Sequence, residues 1–235
     1  VQNEIAKIAK IPTISVKEDE SEKLQHLEID MKSKVFDQDL AVQSLCNAVL
    51  LSRSGLRPRN KTVGNYLLVG PSGVGKTEVI KQLADTLSMK LVRIDMSEYM
   101  EPHSISKLIG SPPGYVGYSD GGAGNGILIN AITEDPHCII LLDELEKAHP
   151  SIFNIFLQVM DNGFISSSSG TKVNCSNIIL AMTSNTGAAS ASMETVGFVK
   201  SQSNSKIMKA VESTFSPEFR NRLDKIVEFK PLSKD

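Results

Sequence analysis

The chain has 235 residues, of which 40% are hydrophobic and 22% are charged, and its formal net charge at pH 7 is −2. This length is enough for one large domain with a substantial core, and the charge balance offers no basic face of the kind that binds nucleic acid. The longest aliphatic run, 139–142, ends at Asp143, so no stretch approaches the length of a membrane span and we expect neither nucleic acid nor a membrane as partner.

The cysteines bear on the redox compartment of the protein, and the first residues bear on whether the chain has been processed. Cys46, Cys138 and Cys175 are widely separated, so they match no metal-ligand spacing and no disulfide framework. This favours a reducing compartment. The chain starts at Val1 without methionine or a signal-like segment, as expected of an excised or processed piece.

The first 34 residues are polar and weakly periodic. Pro12 and the charge run 17–20 favour a linker, followed by a short helix over 22–31. A second helix is predicted over 38–53, and it ends where glycine and proline follow. Four apolar residues are expected near one face of that helix: Leu40, Leu45, Val49 and Leu51.

From residue 64 onward, apolar β-prone runs alternate with helical patterns. The predicted strands are 66–69, 91–94, 138–142, 178–182 and 226–229. The predicted helices are 78–87, 126–133, 151–160 and one near 207–215. This alternation predicts an α/β fold with a parallel central sheet flanked by helices.

Residues 70–77, GPSGVGKT, fit the phosphate-binding P-loop pattern (Walker A) between a predicted strand and a predicted helix. Backbone N–H groups of such a loop turn inward around phosphate oxygens, and the following helix adds its dipole. Lys76 would reach the β- and γ-phosphates and the Thr77 hydroxyl would ligate Mg²⁺; the alternative is a glycine-rich turn that matches by chance. The residues expected to bind ATP here are Gly70, Pro71, Ser72, Gly73, Val74, Gly75, Lys76, Thr77 and Glu78.

The predicted strand 138–142 delivers an acidic pair to its carboxyl end, where parallel sheets bind ligands (Walker B). Asp143 is expected to hold the Mg²⁺ shell, and Glu144 to orient and deprotonate the attacking water. The alternative is an acidic pair that merely ends a strand. Together with the P-loop, the pair predicts ATP hydrolysis.

Seven stretches carry a resemblance to a known family. They are GPSGVGKTE (70–78), DMSEYME (95–101), LIGSPPGYVGY (108–118), LLDELEKAHP (141–150), FNIFLQVMDNG (153–163), MTSN (182–185) and SPEFRNRLD (216–224). The chain resembles the second ATPase module of the Clp AAA+ unfoldases, most closely the ClpA type. The resemblance implies an N-terminal linker or helix at 1–34 and a P-loop NTPase fold, the AAA+ large subdomain, at 35–235, with the small helical lid of such modules absent from the chain.

The resemblance also assigns residues to the nucleotide. Asn185 corresponds to the polar sensor that helps place the attacking water; from the residues alone, a turn-forming asparagine is the alternative. Val35 and Phe36 correspond to the segment that packs the adenine, with an ordinary core position as the alternative. Arg222 corresponds to the arginine finger that reaches the γ-phosphate of a neighbouring subunit in a homo-hexamer, and Arg220 is the nearby second candidate.

Two further segments correspond to partner-binding loops. GYVG at 114–117 is similar to the loop lining the ring's central channel, where Tyr115 and Val116 would grip unfolded polypeptide; a half-buried loop aromatic is the alternative. A hydrophobic-Gly-hydrophobic loop that docks on the ClpP peptidase is matched by Val196, Gly197 and Phe198. These two apolar side chains could instead fold back onto their own domain.

The function implied is an ATP-dependent unfoldase and translocase that threads proteins through a hexameric pore into ClpP, with ATP and Mg²⁺ as cofactors. The alternatives are a ClpB-type disaggregase and a nucleotide-gated binding scaffold without turnover. The expected location is cytoplasmic, in a bacterial cytosol or in an organelle matrix or stroma of bacterial origin.

Overall fold

A computed structural model describes residues 14–54, 58, 60–111, 126–168, 170–187 and 203–232. The predictions for Tyr115, Val116 and the tripeptide 196–198 lie outside these residues.

The described residues form one five-stranded parallel sheet and a separate antiparallel hairpin. The strands are β1 (Gly64–Val69), β2 (Lys90–Asp95), β3 (Cys138–Asp143), β4 (Phe164–Ser166), β5 (Lys172–Asn174), β6 (Ile179–Ser184) and β7 (Lys225–Glu228). The sheet has the order β2-β3-β6-β1-β7 with every neighbouring pair parallel, and β4 pairs with β5 to form the hairpin. All five predicted sheet strands are therefore confirmed.

Helices connect these strands. They are α1 (Ile14–Lys34), α2 (Asp39–Arg53), α3 (Lys76–Leu87), α4 (Ile105–Ile109), α5 (Ile127–Glu134), α6 (Pro150–Asn162), α7 (Ser203–Thr214) and α8 (Pro217–Arg220). Short 3₁₀ turns follow two of the strands, at Met96–Tyr99, Pro102–Ser104 and Leu145–Lys147.

The sheet is covered on both faces, as its nearly continuous apolar strands require. Every residue of β1, β3 and β6 is buried. Along β3, Ile139 and Leu141 pack in one core with α1, α2 and α3, whereas Ile140 and Leu142 pack in a second core with α5, α6 and α7. The predicted sheet flanked by helices is confirmed, and its carboxyl edge is left to carry a site.

Two details of the N-terminal helices differ from expectation. The first helix starts at Ile14 rather than at 22 and runs to Lys34. Leu40 and Leu51 are 67% and 68% exposed, so their placement on the buried face was wrong. That face is formed by Ala41, Val42, Leu45, Cys46 and Val49. These positions follow the i, i+4, i+8 spacing of one helix stripe, from which 40 and 51 are rotated away.

The three cysteines are free and buried. Burial raises the pKa of the Cys46 thiol to about 12, that of Cys138 to about 11 and that of Cys175 to about 12. Such thiols carry almost no thiolate at neutral pH and are therefore chemically inert. In the part of the chain that the structure describes, no helix is long and apolar enough to cross a bilayer.

Candidate nucleotide site at the carboxyl edge of the sheet

The loop between β1 and α3 has backbone angles that favour glycine. Gly70 has a φ of +154°, and a Cβ there would lie 2.7 Å from the carbonyl oxygen of Phe229. Gly75 precedes α3 with a φ of +97° in the left-handed region. A loop that turns in this way directs backbone N–H groups and the start of α3 toward one concave space, which is the arrangement that binds phosphate.

Lys76, the first residue of α3, is buried and uses all three ammonium protons. Its Nζ donates to the carbonyl oxygens of Gly70 (2.8 Å) and Pro71 (2.6 Å) and to Oδ1 of Asn185 (2.8 Å). Burial lowers the pKa of the Lys76 ammonium, while nearby carboxylates, Glu146 first among them, act in the opposite direction. A cation held in this way on neutral oxygens gains a stronger partner when an anionic phosphate enters the loop.

Asp143 ends β3 with both carboxylate oxygens hydrogen-bonded. Oδ2 accepts from Nε (2.9 Å) and Nη2 (2.6 Å) of Arg93, and Oδ1 accepts from the hydroxyl of Thr183. The Thr77 hydroxyl lies 3.2 Å from Oδ1. A hydroxyl and a carboxylate side by side are the hard oxygen donors that suit Mg²⁺, which takes one or two protein oxygens together with substrate phosphates. Within the described ranges, no cluster of three or more His, Cys, Asp or Glu side chains offers a metal site made by protein alone.

Glu144 projects into the same space from a strained backbone. Its φ of +56° and ψ of +50° are left-handed, which is uncommon for a residue with a side chain. Its Oε1 accepts from Nδ2 of Asn185 (3.1 Å), and its Oε2 pairs with Nζ of Lys147 (2.5 Å). This contact with Glu144 raises the pKa of the Lys147 ammonium.

Asn185 joins the two halves of the site. Its side-chain amide accepts from Lys76 and donates to Glu144, and its backbone N–H donates to Oε1 of Glu146 at 3.0 Å. With both amide ends and its backbone engaged, Asn185 has a fixed orientation. The structure thus brings together Lys76, Thr77, Asp143, Glu144 and Asn185, five of the residues singled out from the sequence.

The other predicted nucleotide contacts include Val35, Phe36 and Glu78. Val35 is buried, whereas Phe36 is 78% exposed. The alternative interpretation of Phe36 as an ordinary core residue is therefore wrong. The Glu78 carboxylate accepts from Gln82 (2.8 Å) and pairs with Lys81 (3.4 Å) along α3. Its pKa is lowered chiefly by the hydrogen bond from Gln82.

The two candidate finger arginines have different partners. Nε of Arg222 donates to both carboxylate oxygens of Asp161 at the end of α6 (3.0 and 2.9 Å), and Nη1 donates to the carbonyl oxygen of Glu218 (2.9 Å). Arg220 donates from Nε to the carbonyl oxygen of Phe215 (3.2 Å) and lies 3.5 Å from Glu212.

Five residues that contact predicted residues were not singled out in the sequence: Arg93, Glu146, Lys147, Asp161 and Thr183. Arg93, Asp161 and Thr183 contact residues that are 40 to 61 positions away in the chain. A weak signal was available for Thr183 alone, because it is a polar residue near the carboxyl end of a strand that starts with four apolar residues.

The family profile described as AAA domain (Cdc48 subfamily) matches residues 61–226. The chain belongs to this AAA domain family. The match covers four of the five sheet strands and the start of β7, together with the P-loop and the acidic pair of the site.

Relatives of this AAA domain are Clp-type proteins. It is 51% identical over 231 residues to the ClpA homolog protein of Fuscovulum blasticum, covering 98% of this chain and 29% of that protein. It is 45% identical over 228 residues to the chaperone protein ClpB of Bacillus anthracis, covering 95% of this chain and 26% of that protein. The chain therefore spans less than a third of the length of these relatives.

A solved structure is similar in fold. The closed-state cryoEM reconstruction of Hsp104 with ATPγS and FITC casein matches with a TM-score of 0.83 and 40% identity, covering 97% of this chain and 39% of that one. The AAA domain is thus a Clp-type AAA+ module in sequence and in fold.

Proposed function

We propose that the site on this chain binds ATP with Mg²⁺ and hydrolyses it between the β- and γ-phosphates. One observation carries the proposal. The amide of Asn185 connects the P-loop lysine, Lys76, to the acidic residue Glu144, beside the Thr77–Asp143 pair. Phosphate-binding, metal-binding and base-supplying groups therefore meet in one place, which exceeds what binding alone requires.

The phosphate chain is held by the loop 70–75 and by Lys76. Lys76 exchanges its carbonyl partners for phosphate oxygens, which are charged and therefore better acceptors. Thr77 and Asp143 are the residues that would hold Mg²⁺, which would neutralise part of the phosphate charge. Val35 and Phe36 are proposed to contact the adenine, where the exposed ring of Phe36 offers an apolar surface.

Glu144 accepts the proton of the attacking water. Its carboxylate is oriented by Asn185 on one oxygen and by Lys147 on the other. A base needs this fixed orientation because the water must attack in line with the leaving oxygen. Arg222 completes the site of a neighbouring subunit, which makes a homo-hexameric ring the working form.

In such a ring, ATP hydrolysis is proposed to drive unfolding and translocation of protein through the central channel. The Hsp104 structure named above contains both an ATP analogue and casein, a protein, which supports this coupling for a similar module. Tyr115 and Val116 are the proposed channel contacts, because an aromatic ring grips polypeptide largely irrespective of sequence.

The Tyr115→Ala variant tests this coupling. We expect protein translocation by the assembled protein to fall about tenfold or more, since the lost aromatic contact is worth about 1.5–3 kcal/mol. ATP hydrolysis should persist. The measurement is the unfolding rate of a tagged fluorescent protein together with phosphate release. Tyr115→Phe, which keeps the ring, is the control, and unfolding by Tyr115→Ala at the wild-type rate would contradict a gripping role.

The destination of the threaded protein distinguishes two candidates. Delivery to a ClpP-type peptidase is favoured by the higher identity to the ClpA homolog, 51% against 45% for ClpB. A disaggregase without a peptidase is favoured by the ClpB and Hsp104 similarities. We propose ClpP coupling, because Val196, Gly197 and Phe198 match the docking tripeptide of the ClpA type.

Phe198→Ala tests the docking. Several weak loops on one ring bind a peptidase ring by avidity, so removing every phenyl ring at once should abolish association. We expect ClpP-dependent degradation to be lost while ATP hydrolysis and unfolding continue, as measured by co-sedimentation with ClpP and by peptide release. Phe198→Leu is the matched apolar control. Undiminished ClpP association in Phe198→Ala would contradict the docking role of Phe198, whereas a wild-type protein that does not associate with ClpP would favour the disaggregase.

A reducing cytosol, or an organelle matrix or stroma of bacterial origin, is the proposed location. The three buried free thiols support it, since each is placed for packing and has a raised pKa.

A further inference from the structure

One buried hydroxyl contacts both acidic residues of the site. Thr183 lies near the carboxyl end of β6, which is paired with β3 in the sheet, and it is 1% exposed. Its Oγ1 accepts a hydrogen bond from the backbone N–H of Glu144 at 3.0 Å and donates to Oδ1 of Asp143.

The direction of these two bonds is fixed by chemistry. A backbone N–H can only donate, so the Thr183 oxygen accepts from Glu144. Its single proton is then available for the carboxylate of Asp143. The hydroxyl therefore accepts from Glu144 and donates to Asp143, two consecutive residues with different proposed roles.

The bond to Glu144 stands at a strained position. Glu144 has left-handed backbone angles, which persist in a residue with a side chain only where the surroundings hold them. The angles decide where the carboxylate points, and hence whether it reaches Asn185 and Lys147. If the N–H of Glu144 lost its acceptor in this part-buried setting, the segment from Glu144 into the turn Leu145–Lys147 would be free to relax.

We propose that Thr183 is a positioning residue for hydrolysis, whose hydroxyl holds the metal-side carboxylate of Asp143 and the backbone of Glu144 in one fixed arrangement. The inference rests on the proposed ATP hydrolysis and extends it to a residue that acts through Asp143 and Glu144. Movement of Asp143 is thereby transmitted to the backbone that aims Glu144.

Thr183→Val and Thr183→Ser form a matched pair. Valine keeps the shape and removes the hydroxyl, whereas serine keeps the hydroxyl and removes a methyl group. For Thr183→Val we expect kcat for ATP to fall about a hundredfold, the scale of a misplacement of about 1 Å, with ATP affinity changed less than about threefold. Thr183→Ser should retain most of the wild-type kcat. Equal kcat in Thr183→Val and wild type, or an equal loss in both variants, would overturn the proposal.

Hydrogen exchange of the Glu144 amide separates this inference from the proposed function, because it needs no turnover. In the nucleotide-free chain, we expect this amide to exchange at least about tenfold faster in Thr183→Val than in wild type, and at the wild-type rate in Thr183→Ser. Unchanged protection in Thr183→Val would overturn the inference. A wild-type protein that hydrolyses no ATP would overturn the function, while the exchange result would still decide the role of the hydroxyl. If Thr183→Val does not fold, as judged by circular dichroism, Thr183→Ala replaces it in both measurements.

Discussion

Glu144→Gln is expected to stop ATP turnover in the assembled protein while ATP stays bound. Glutamine has the same shape and its carbonyl oxygen can still accept from Asn185, so the pocket is preserved. It cannot take a proton, and it loses the ion pair with Lys147. Removing a general base lowers rates by about 10²–10⁴-fold, and this range is expected for kcat. Phosphate release and titration with a fluorescent ATP analogue measure the two quantities.

Two further variants serve as comparisons for Glu144→Gln. Lys76→Ala should instead abolish ATP binding, because it removes the buried ammonium that the loop 70–75 surrounds. Glu134→Gln, on the exposed side of α5 where it pairs with Lys90, should leave both quantities unchanged. Hydrolysis at the wild-type rate in Glu144→Gln would remove Glu144 from the mechanism and favour another base.

Arg222→Ala is expected to suppress hydrolysis in the neighbouring subunit by about 10³–10⁵-fold, the usual contribution of an arginine finger supplied in trans. The geometry indicates why Arg222 would not reach the nucleotide site of its own chain. The carbonyl oxygen of Arg222 accepts from the side chain of Asn65, the second residue of β1. Val69, at the P-loop end of that strand, is four residues further on, about 13 Å at the rise of a strand. Arg222 therefore lies near the amino end of β1, whereas the P-loop follows its carboxyl end.

The contacts of Arg222 sharpen this second prediction. In the single chain its guanidinium is bound to Asp161 and Glu218, so reaching a neighbour's γ-phosphate requires exchanging at least part of these contacts. Nucleotide affinity per subunit should stay nearly intact in Arg222→Ala. The matched control is Arg220→Ala, which removes a guanidinium two residues earlier in the chain that is bound to the carbonyl oxygen of Phe215 and lies near Glu212. Normal hydrolysis in Arg222→Ala with loss in Arg220→Ala would reverse the assignment.

Local patterns were sufficient to predict the sheet and the centre of the site. The strands alternate with helices, and the three central strands are largely apolar runs, so hydrophobic pattern located them. The P-loop and the acidic pair are contiguous in sequence, and the loop needs glycine where φ is positive, as at Gly75. Asn185 required the resemblance, because an asparagine after a strand is usually a turn residue.

What the sequence did not reveal depends on long-range pairing. Arg93 and Thr183 meet Asp143 only because β2 and β6 flank β3, an order that hydrophobic runs do not specify. The exposure of Leu40 and Leu51 likewise depends on which face of α2 packs against the rest of the domain. Apolar residues lie on more than one face of this helix, so the sequence alone does not identify the buried face. The left-handed backbone of Glu144 has no local signal, and the residue that accepts its N–H, Thr183 of β6, is 39 positions away in the chain.

The most direct measurement of the central claim, a hydrolysis site built from Glu144 of one subunit and Arg222 of the next, is ATP hydrolysis by mixed rings. Glu144→Gln and Arg222→Ala subunits are combined in varying ratios and phosphate release is followed. Each variant alone should be inactive, and mixtures should regain activity, because an Arg222→Ala subunit keeps its Glu144 and can receive Arg222 from a Glu144→Gln neighbour. Mixtures that stay as inactive as the pure variants, although both assemble together, would contradict the claim.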